Sequence, residues 1–334
     1  MKKFLAVLLA MTMVLALVAC GQKEEAPAPA PEGGQEQAPA PAEKQSLTLA
    51  TGGTSGTYYA VGGVMKTVLD AKLEKSSLNV ESTGASVANV NMMTDGEAEL
   101  AILQSDVLSY AHNGTYSFET TGAETSALWV AGIYNETVQI LAKPGINSVA
   151  DLKGKTICVG DVGSGTEINA WQVLSAAGYT KDDVNAVNGS FADGVEQLKD
   201  GKIDAAFTVA GAPTTAITEY ATTNTLNLIS LDDELLAKIK AEYPFLVQDN
   251  LAAGTYTGQE SEVVCVAIQA TLVADETVSE DVVYELTKAM YENQADLTNG
   301  HAKWGLLEAK AATAGATAPM HPGAEKYYKE AGVL

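Results

Sequence analysis

The segment DGEAELA at residues 95–101 recurs further along the chain as DGKIDAA at residues 200–206. Each copy is preceded by the tripeptide SGT, which occupies residues 55–57 before the first copy and residues 164–166 before the second. The separations are similar, 40 residues in the first case (95 − 55) and 36 in the second (200 − 164). The chain therefore contains two related segments of comparable length.

Strand-like apolar runs alternate with helical runs inside both segments. In the first segment the order is LTLAT, a helix over 58–73, LNVEST, a helix over 87–94 and LAILQ. In the second it is TICVGD, a helix over 167–177, VNAVNG, a helix over 191–199 and DAAFTVAG. This alternation predicts two βαβαβ units whose strands pair in parallel.

Two further strand-like segments, 131–142 and 263–273, are long enough to run from one unit into the other. Two such crossing strands form a hinge, which suits closure of the units around a ligand. We therefore predict an α/β fold of two parallel-sheet lobes joined by two crossing strands, with a ligand cleft at the carboxyl ends of the strands. The predicted bounds are 46–136 plus 263–334 for the first lobe and 137–262 for the second.

The N-terminal residues have the features of an export signal. Two lysines precede an apolar run over residues 4–19, which ends in Leu-Val-Ala directly before Cys20. Small residues before a cysteine are similar to the lipobox of bacterial lipoproteins. We therefore predict a signal peptide over 1–19, lipidation of Cys20 and a Pro/Ala-rich tether over 20–45. Two acyl chains would anchor the protein to the outer face of the cell membrane.

The composition is strongly acidic. Asp and Glu number 42 against 20 lysines, no arginine occurs, and the formal net charge is −22. A nucleic-acid partner requires a basic surface and is therefore not expected. We also expect the protein to be a monomer. Cys158 and Cys265 lie in apolar runs and are predicted to be buried free thiols rather than a disulfide.

Sequence motifs of common enzyme classes are absent. The chain has no G-x-x-x-x-G-K-S/T phosphate loop, no G-x-G-x-x-G motif before a helix and no G-x-S-x-G nucleophile elbow. The histidines, His112, His301 and His321, occur in no metal-binding spacing. We therefore expect no catalysis, no cofactor and no metal site.

Small and hydroxyl-bearing residues follow several predicted strands. GGTSGT at 52–57, STGAS at 82–86 and GSGT at 163–166 each open a helix. Glycine lets a ligand approach the backbone closely, and a helix N-terminus offers free N–H groups and a partial positive charge to an anion. Helix capping alone is the other explanation of such turns. Three such turns in repeat-related positions favour ligand contact by at least two of them.

Eight strings in the chain resemble the TAXI family of TRAP transporter solute receptors. The similarity runs from about Leu47 to the C-terminus and rests on the combination of strings. They are GGTSGTYY (52–59), STGASVANV (82–90), LQSD (103–106), DLKGK (151–155), GDVGSGTE (160–167), DGKIDAAF (200–207), VAGAP (209–213) and HPGAEKYYKE (321–330).

The resemblance implies a type II periplasmic-binding-protein fold and no catalysis. It also implies delivery of a small organic anion, glutamate-like or a dicarboxylate, to a membrane permease driven by an ion gradient. A lipid anchor on such a receptor implies a Gram-positive host, which has no outer membrane to retain a soluble protein. Three alternatives stay open: a receptor for an ATP-driven transporter, a secreted α/β hydrolase or transferase, and a surface adhesion or sensor protein.

The candidate ligand-binding residues lie in the turns, at two later strand ends and in one crossing strand. The residue in the crossing strand is Tyr134, which either contacts the ligand or packs in the hinge. The candidates are Gly53, Thr54, Ser55, Thr57, Tyr58, Thr83, Gly84, Ala85, Ser86, Gln104, Ser105, Tyr134, Ser164, Gly165, Thr166, Glu167, Ala210, Gly211, Ala212 and Pro213.

A carboxylate ligand cannot meet a guanidinium in a chain without arginine, and no lysine falls in the candidate turns. We therefore predict that backbone N–H groups and the hydroxyls of Ser55, Thr57, Ser164 and Thr166 hold the carboxylate. Glu167 either faces the cleft, where it would favour a ligand with an ammonium group, or complements the dipole of its helix.

Overall fold

The structure is a computed structural model that describes residues 44–334, so the predicted signal peptide and Cys20 lie outside the described residues. Within this range no helix is long and apolar enough to cross a bilayer. The same range holds nine strands, which are β1 (Gln45–Ala50), β2 (Ser76–Glu81), β3 (Leu100–Gln104), β4 (Ala127–Ala142), β5 (Thr156–Cys158), β6 (Asn185–Val187), β7 (Ala205–Ala210), β8 (Val247–Leu251) and β9 (Val263–Asp275).

Helices connect most of these strands. The α-helices of the described range are α1 (Thr57–Leu69), α2 (Ser86–Thr94), α3 (Ser105–Asn113), α4 (Gly165–Ala176), α5 (Phe191–Lys199), α6 (Thr215–Thr223), α7 (Asp233–Glu242), α8 (Glu280–Glu292), α9 (Gln294–Gly300), α10 (Ala309–Ala314) and α11 (Pro322–Glu330). Short 3-10 helices span Tyr116–Phe118, Val149–Leu152 and Ala302–Leu306.

The strands join into one mixed sheet in the order β2-β1-β3-β9-β4-β7-β5-β6, with β8 also paired to β9. In the first lobe β1 lies between β2 and β3 and is parallel to both. In the second lobe β5 lies between β6 and β7 and is parallel to both. Both predicted units are therefore present. The lobes are not purely parallel, however, because the crossing strands run back antiparallel to β3 and to β7.

The long strands β4 and β9 connect the two lobes. They pair antiparallel from Ala127 with Asp275 to Thr137 with Ala267. The end of β4 continues beside β7 in the second lobe, whereas the end of β9 continues beside β3 in the first. The predicted architecture of two lobes joined by two crossing strands is confirmed, while the numerical bounds of the lobes stay a prediction.

Each lobe has its own apolar interior. Leu49 and Trp304 lie in the core of the first lobe and Ile140 in that of the second, each at most 1% exposed. Burying one such side chain contributes roughly 1.5–3 kcal/mol, so each lobe has a separate source of stability. Cys158 and Cys265 are buried and free, as predicted.

The repeated Asp-Gly dipeptides end two equivalent helices. After α2 the backbone at Gly96 adopts a φ of 73°, and after α5 the backbone at Gly201 adopts a φ of 74°. A residue with a side chain adopts this left-handed conformation only at a cost, so glycine suits both turns. The amino-acid sequence shared by the two segments therefore reflects the same helix-to-strand turn, which occurs once in each lobe.

The C-terminal helix is fixed to the first lobe at its start. The His321 ring, 1% exposed, accepts a hydrogen bond from the Gly323 N–H at 3.2 Å and lies 3.0 Å from the carbonyl oxygen of Val278. A Cβ at Gly323 would overlap backbone atoms of Glu280 and Tyr284 in α8. Glycine at this position therefore lets α8 and α11 come into direct contact.

Gly323→Ala is expected to destabilise the protein by about 1–3 kcal/mol, because the added methyl group forces α8 and α11 apart. Gly63→Ala is the matched control, since a Cβ at this position inside α1 meets nothing within 4 Å. The control should be neutral or stabilising by up to about 1 kcal/mol. Urea unfolding measures both variants, and an unchanged midpoint for Gly323→Ala would contradict the close helix contact.

Candidate ligand-binding cleft

A cleft lies between the lobes, where the parallel strands end. The helices α1, α2, α4 and α5 begin beside it, so their unpaired N-terminal N–H groups border the cavity. The cavity has a volume of about 40 Å³, which is room for about three or four water molecules. Its lining residues are Gly52, Gly53, Ser55, Gly56, Thr57, Tyr58, Ala85, Ser86, Gln104, Glu136, Asp161, Ser164, Gly165, Thr166, Ser190, Phe191, Val209 and Ala210.

The first lobe contributes the turn between β1 and α1. The Gly56 N–H donates to the Gly53 carbonyl oxygen at 2.9 Å, which closes the turn. The Thr57 hydroxyl donates to the Gly211 carbonyl oxygen of the second lobe at 2.8 Å. Among the described residues the Ser55 hydroxyl has no hydrogen-bond partner, so it is available to a ligand.

The second lobe presents the N-terminus of α4. Ser164 caps this helix, because its hydroxyl accepts from the Glu167 N–H at 3.1 Å and donates to the Asp161 carbonyl oxygen at 2.8 Å. Thr166 follows in the first turn and is buried. Within residues 44–334 its hydroxyl is not used in any protein hydrogen bond, so it too is available to a ligand.

The lobes are closed on each other in this structure. The Val87 N–H of the first lobe donates to the Gly163 carbonyl oxygen of the second at 3.1 Å. Gly165 permits this approach, because a Cβ there would overlap Oε1 of Gln104 in the other lobe. The small volume of the cavity follows from this closure.

A second set of polar contacts joins the lobes outside the cavity, and we call it the α3–α4 latch. Asn169 Nδ2 donates to Asp106 Oδ2 at 3.0 Å, and Gln172 Nε2 donates to the Tyr110 hydroxyl at 3.0 Å. Asp106 is fully buried, and burial raises the pKa of its carboxyl group from 3.8 to about 6, although its hydrogen bonds oppose the shift.

Glu136 on β4 is an acidic lining residue that the sequence analysis missed. Its side chain is 2% exposed, and the Tyr58 hydroxyl donates to its Oε1. Burial raises the pKa of the Glu136 carboxyl group to about 8, although hydrogen bonds from Tyr58 and Gln104 and the positive charge of Lys303 oppose the shift. A second acid, Asp161, lines the cavity from the other lobe, whereas no lysine lines it.

Lys303 lies behind the cavity and is half-buried. A Cβ at Gly211 would meet its Cε at 2.8 Å, and its Nζ lies 5.8 Å from the centroid of the Tyr134 ring. Burial lowers the pKa of the Lys303 amine, while the charges of Asp249 and Glu136 act in the other direction. Lys303 is therefore a cation near the cleft, and it was not predicted because it lies outside the candidate turns.

Many of the residues predicted from the sequence surround one cavity. Their contact with a ligand stays a prediction, but the structure does bring them together from both lobes. They are Gly53, Ser55, Thr57, Tyr58, Ala85, Ser86, Gln104, Ser164, Gly165, Thr166 and Ala210.

Other predicted residues support the cleft without lining it. The Thr83 hydroxyl donates to the Thr51 carbonyl oxygen at 2.9 Å and holds its own turn. The Glu167 carboxylate accepts from Gly163 N–H and from Asn188 Nδ2, each at 3.0 Å, so it faces its own lobe. The remaining predicted residues outside the lining are Thr54, Gly84, Ser105, Tyr134, Gly211, Ala212 and Pro213.

Several lining residues besides Glu136 were not predicted from the sequence. Asp161 lies three residues after the end of β5, and Ser190 caps α5 after β6, so both occupy the kind of strand end that the other candidates occupy. Phe191 meets Gly56 across the cleft, since a Cβ at Gly56 would lie 3.4 Å from its ring. Within residues 44–334, no group of three or more His, Cys, Asp or Glu is arranged to hold a metal ion.

Comparison with known proteins shows the family. The sequence model described as the NMT1-like family matches residues 49–332, which include both lobes and both crossing strands. The chain belongs to the NMT1-like family. The resemblance to the TAXI receptors of TRAP transporters was therefore wrong. Several of its strings contain turns at strand and helix ends, such as the one at Gly201, and the two-lobed fold itself uses turns of this kind.

Three solved structures are similar to this NMT1-like protein in fold. PhnD1 from Prochlorococcus marinus in complex with methylphosphonate is 11% identical over 87% of this chain and 99% of that one, with a TM-score of 0.52. The periplasmic aliphatic sulphonate binding protein SsuA from Escherichia coli is 14% identical over 78% and 80%, with a TM-score of 0.43. The putative L-cystine ABC transporter from Listeria monocytogenes is 15% identical over 79% and 98%, with a TM-score of 0.48. The fold is that of type II periplasmic-binding proteins, as predicted.

Proposed function

We propose that this NMT1-like protein is the extracytoplasmic solute receptor of an ATP-driven importer and that it catalyses no reaction. The observation that carries the proposal is the closed cleft, in which helix N-termini and free hydroxyls from both lobes surround one small cavity. A two-lobed receptor holds its solute by closing around it, and closure creates a surface that a membrane transporter can recognise.

The names of the similar proteins support the receptor role. PhnD1 is described with methylphosphonate, SsuA as a sulphonate-binding protein and the Listeria protein as an ABC transporter component. From these proteins we infer for this chain only that it captures a small polar solute and delivers it to a transporter. ATP-driven transport, an alternative left open by the sequence, replaces the ion-gradient-driven permease.

The proposal includes an anionic group on the solute. The N-termini of α1 and α4 lie on opposite sides of the cavity, and each offers free N–H groups to an anion. The hydroxyls of Ser55 and Thr166 add donors from the two lobes. Anchoring through a lipid on Cys20 and a monomeric state are further parts of the proposal.

A thermal-shift screen of small organic acids, amino acids, phosphonates and sulphonates tests the receptor role, since a ligand that binds only the folded state raises the melting temperature. Uptake of the solute identified in this way should stop when cellular ATP is depleted and should continue when ion gradients are dissipated. A screen without any binder would remove the receptor role, and uptake that follows the ion gradient would remove the ATP-driven importer.

Thr166→Val is expected to weaken solute binding about ten- to a hundredfold, because a hydrogen bond to a charged acceptor contributes roughly 1.5–3 kcal/mol. Ser55→Ala should act similarly from the other lobe. Thr313→Val is the control, since this hydroxyl is engaged with the Ala309 and Lys310 carbonyl oxygens far along the chain from the cleft turns. Isothermal titration calorimetry measures the three affinities, and wild-type affinity in the first two variants would contradict the hydroxyl contacts.

A further inference from the structure

The charged side chains that line the cavity are acidic. Glu136 enters from the crossing strand β4 and Asp161 from the loop after β5, while lysine is absent from the lining and arginine from the chain. In their ionised forms, two carboxyl groups around a cavity of about 40 Å³ repel a solute that is only anionic, and the raised pKa of Glu136, about 8, keeps this group largely protonated at pH 7 when no positive charge lies beside it. A positively charged group on the solute would be attracted to both.

Glu136 lacks a partner that could neutralise its charge within hydrogen-bond distance. Tyr58 supplies a neutral hydroxyl donor, and the neutral side chain of Gln104 also lowers the pKa of the Glu136 carboxyl group. Lys303 lies behind Tyr134 and influences Glu136 only through its charge. A carboxylate that is 2% exposed and has only neutral donors is costly to keep ionised, because burial favours its uncharged form.

Two further buried atoms near Glu136 are unsatisfied. Gln104 Oε1 and Tyr134 Oη have no hydrogen-bond partner among the described residues, and the two side chains are 1% and 3% exposed. Tyr134 stands two positions before Glu136 on β4, so the two side chains point to the same face of the strand. Gln104 lines the cavity together with Glu136. An ammonium group has three donors and no acceptor, which complements the two acceptors that line the cavity, the Glu136 carboxylate and the Gln104 amide oxygen, whereas Tyr134 lies outside the lining.

We infer that the solute carries a protonated amine and that Glu136 is the residue that recognises it. The inference rests on the proposed receptor function and makes it more specific. Together with the helix N-termini of α1 and α4, it describes a small zwitterion, whose ammonium group meets Glu136 and whose anionic group meets the backbone N–H groups. The cavity volume restricts the solute to a few heavy atoms.

From the sequence, Glu167 was expected either to face the cleft and favour an ammonium group or to complement the dipole of its helix. In the structure the Glu167 carboxylate is engaged by Gly163 N–H and Asn188 Nδ2. It therefore has hydrogen-bond partners of its own and lies outside the lining. The same chemistry fits Glu136, which the structure places at the cavity, and Glu167 becomes a matched control.

The test compares solutes that differ only in the amine. Glycine with glycolate, L-alanine with L-lactate and β-alanine with 3-hydroxypropionate form three such pairs, and calorimetry on the full mature chain at pH 7 gives each affinity. We expect at least one amine to bind tenfold or more tightly than its hydroxy partner. Glu136→Gln should weaken binding of that amine about ten- to a hundredfold and leave the hydroxy acid nearly unchanged. Glu167→Gln should keep the preference.

Glu136→Gln should still fold, since its amide oxygen can accept from Tyr58 and no charge remains to be buried, and its melting temperature without solute checks this. Glu136→Asp, which keeps the charge on a shorter side chain, should retain part of the amine preference. Equal binding of amine and hydroxy partners, or a preference that survives Glu136→Gln, would overturn the inference while the receptor function stands. A screen whose binders all lack an amine would do the same, whereas a screen without any binder would remove the receptor function itself.

Discussion

Gly165→Ala is expected to weaken solute binding about ten- to a hundredfold without weakening the fold. The added Cβ would overlap Gln104 Oε1 across the cleft, where Gln104 is 1% exposed and has little room to move. Overpacking of this kind costs roughly 1–3 kcal/mol, and here the cost falls on the closed state alone. Within the second lobe, alanine in the first turn of α4 is a better helix former than glycine.

Two further variants, one control and one compensating substitution, test whether the overlap at Gly165 causes the loss of affinity. Gly63→Ala adds the same methyl group to the first lobe outside the cavity lining, where a Cβ meets nothing within 4 Å, and should keep the affinity. Adding Gln104→Ala to Gly165→Ala removes the overlapping atoms and should restore closure. Small-angle scattering with saturating solute should show a larger radius of gyration for Gly165→Ala than for wild type. An unchanged radius and affinity would show that the lobes do not meet at Gly165.

The helices next to repeated turns were the easiest part of the fold to predict. The predicted helix over 191–199 coincides with α5, because Ser190 caps its start and Gly201 follows its end. The predicted helix over 58–73 was too long, since α1 ends at Leu69. Leu73 is 2% exposed and packs in the core after the chain has left the helix, so its apolar character indicated burial and not backbone conformation.

Strand β8 could not be predicted from its own composition. Val247–Leu251 contains mostly polar residues, and Val247 itself is 49% exposed. The segment is a strand because its backbone pairs with the first half of β9. This pairing depends on where the chain returns after α7, which no local pattern specifies.

In the candidate site, too, residues in local sequence patterns were predicted, whereas residues placed by long-range contacts were not. Ser164 and Thr166 were predicted because a turn before a helix leaves a local pattern in the sequence. Glu136 was missed because it lies within a strand and reaches the cavity only through the crossing of β4 between the lobes. Its one local signal is an acidic residue in a long, mostly apolar strand. Asp106 was missed likewise, since its partner Asn169 lies in the other lobe.

The contribution of the α3–α4 latch to solute affinity is expected to rise as the pH falls from 7 to 5, while protonation of Glu136 acts against binding of an amine over the same range. Closure buries Asp106 and raises the pKa of its carboxyl group to about 6, whereas in the open state the group should return towards its ordinary value of 3.8. The closed state therefore binds this proton more strongly. The stabilising effect is complete below about pH 3.8, declines as the pH rises through 6 and is absent above it. Between pH 7 and pH 5 the contribution of Asp106 to the affinity grows about tenfold.

Other groups near Asp106 also respond to pH or to closure. Tyr110 lies on the same helix, Asn169 and Gln172 face it from α4, and the charge of Glu136 on β4 interacts with it. The pH dependence of Glu136 is present in every variant that retains this residue. The ratio of wild-type affinity to that of Asp106→Asn therefore isolates the contribution of Asp106.

Asp106→Asn keeps the shape of the side chain and an oxygen that can accept from Asn169, but it has no titrating proton. We expect the affinity ratio of wild type to Asp106→Asn to rise about tenfold from pH 7 to pH 5. Gln172→Leu breaks the second contact of the latch, to the Tyr110 hydroxyl, and should lower affinity at both pH values with the same ratio between them. Calorimetry at pH 5, 6 and 7 measures all three proteins. A ratio that does not change with pH would mean that Asp106 is buried to the same extent in the open and closed states, so that α3 and α4 do not separate when the cleft opens.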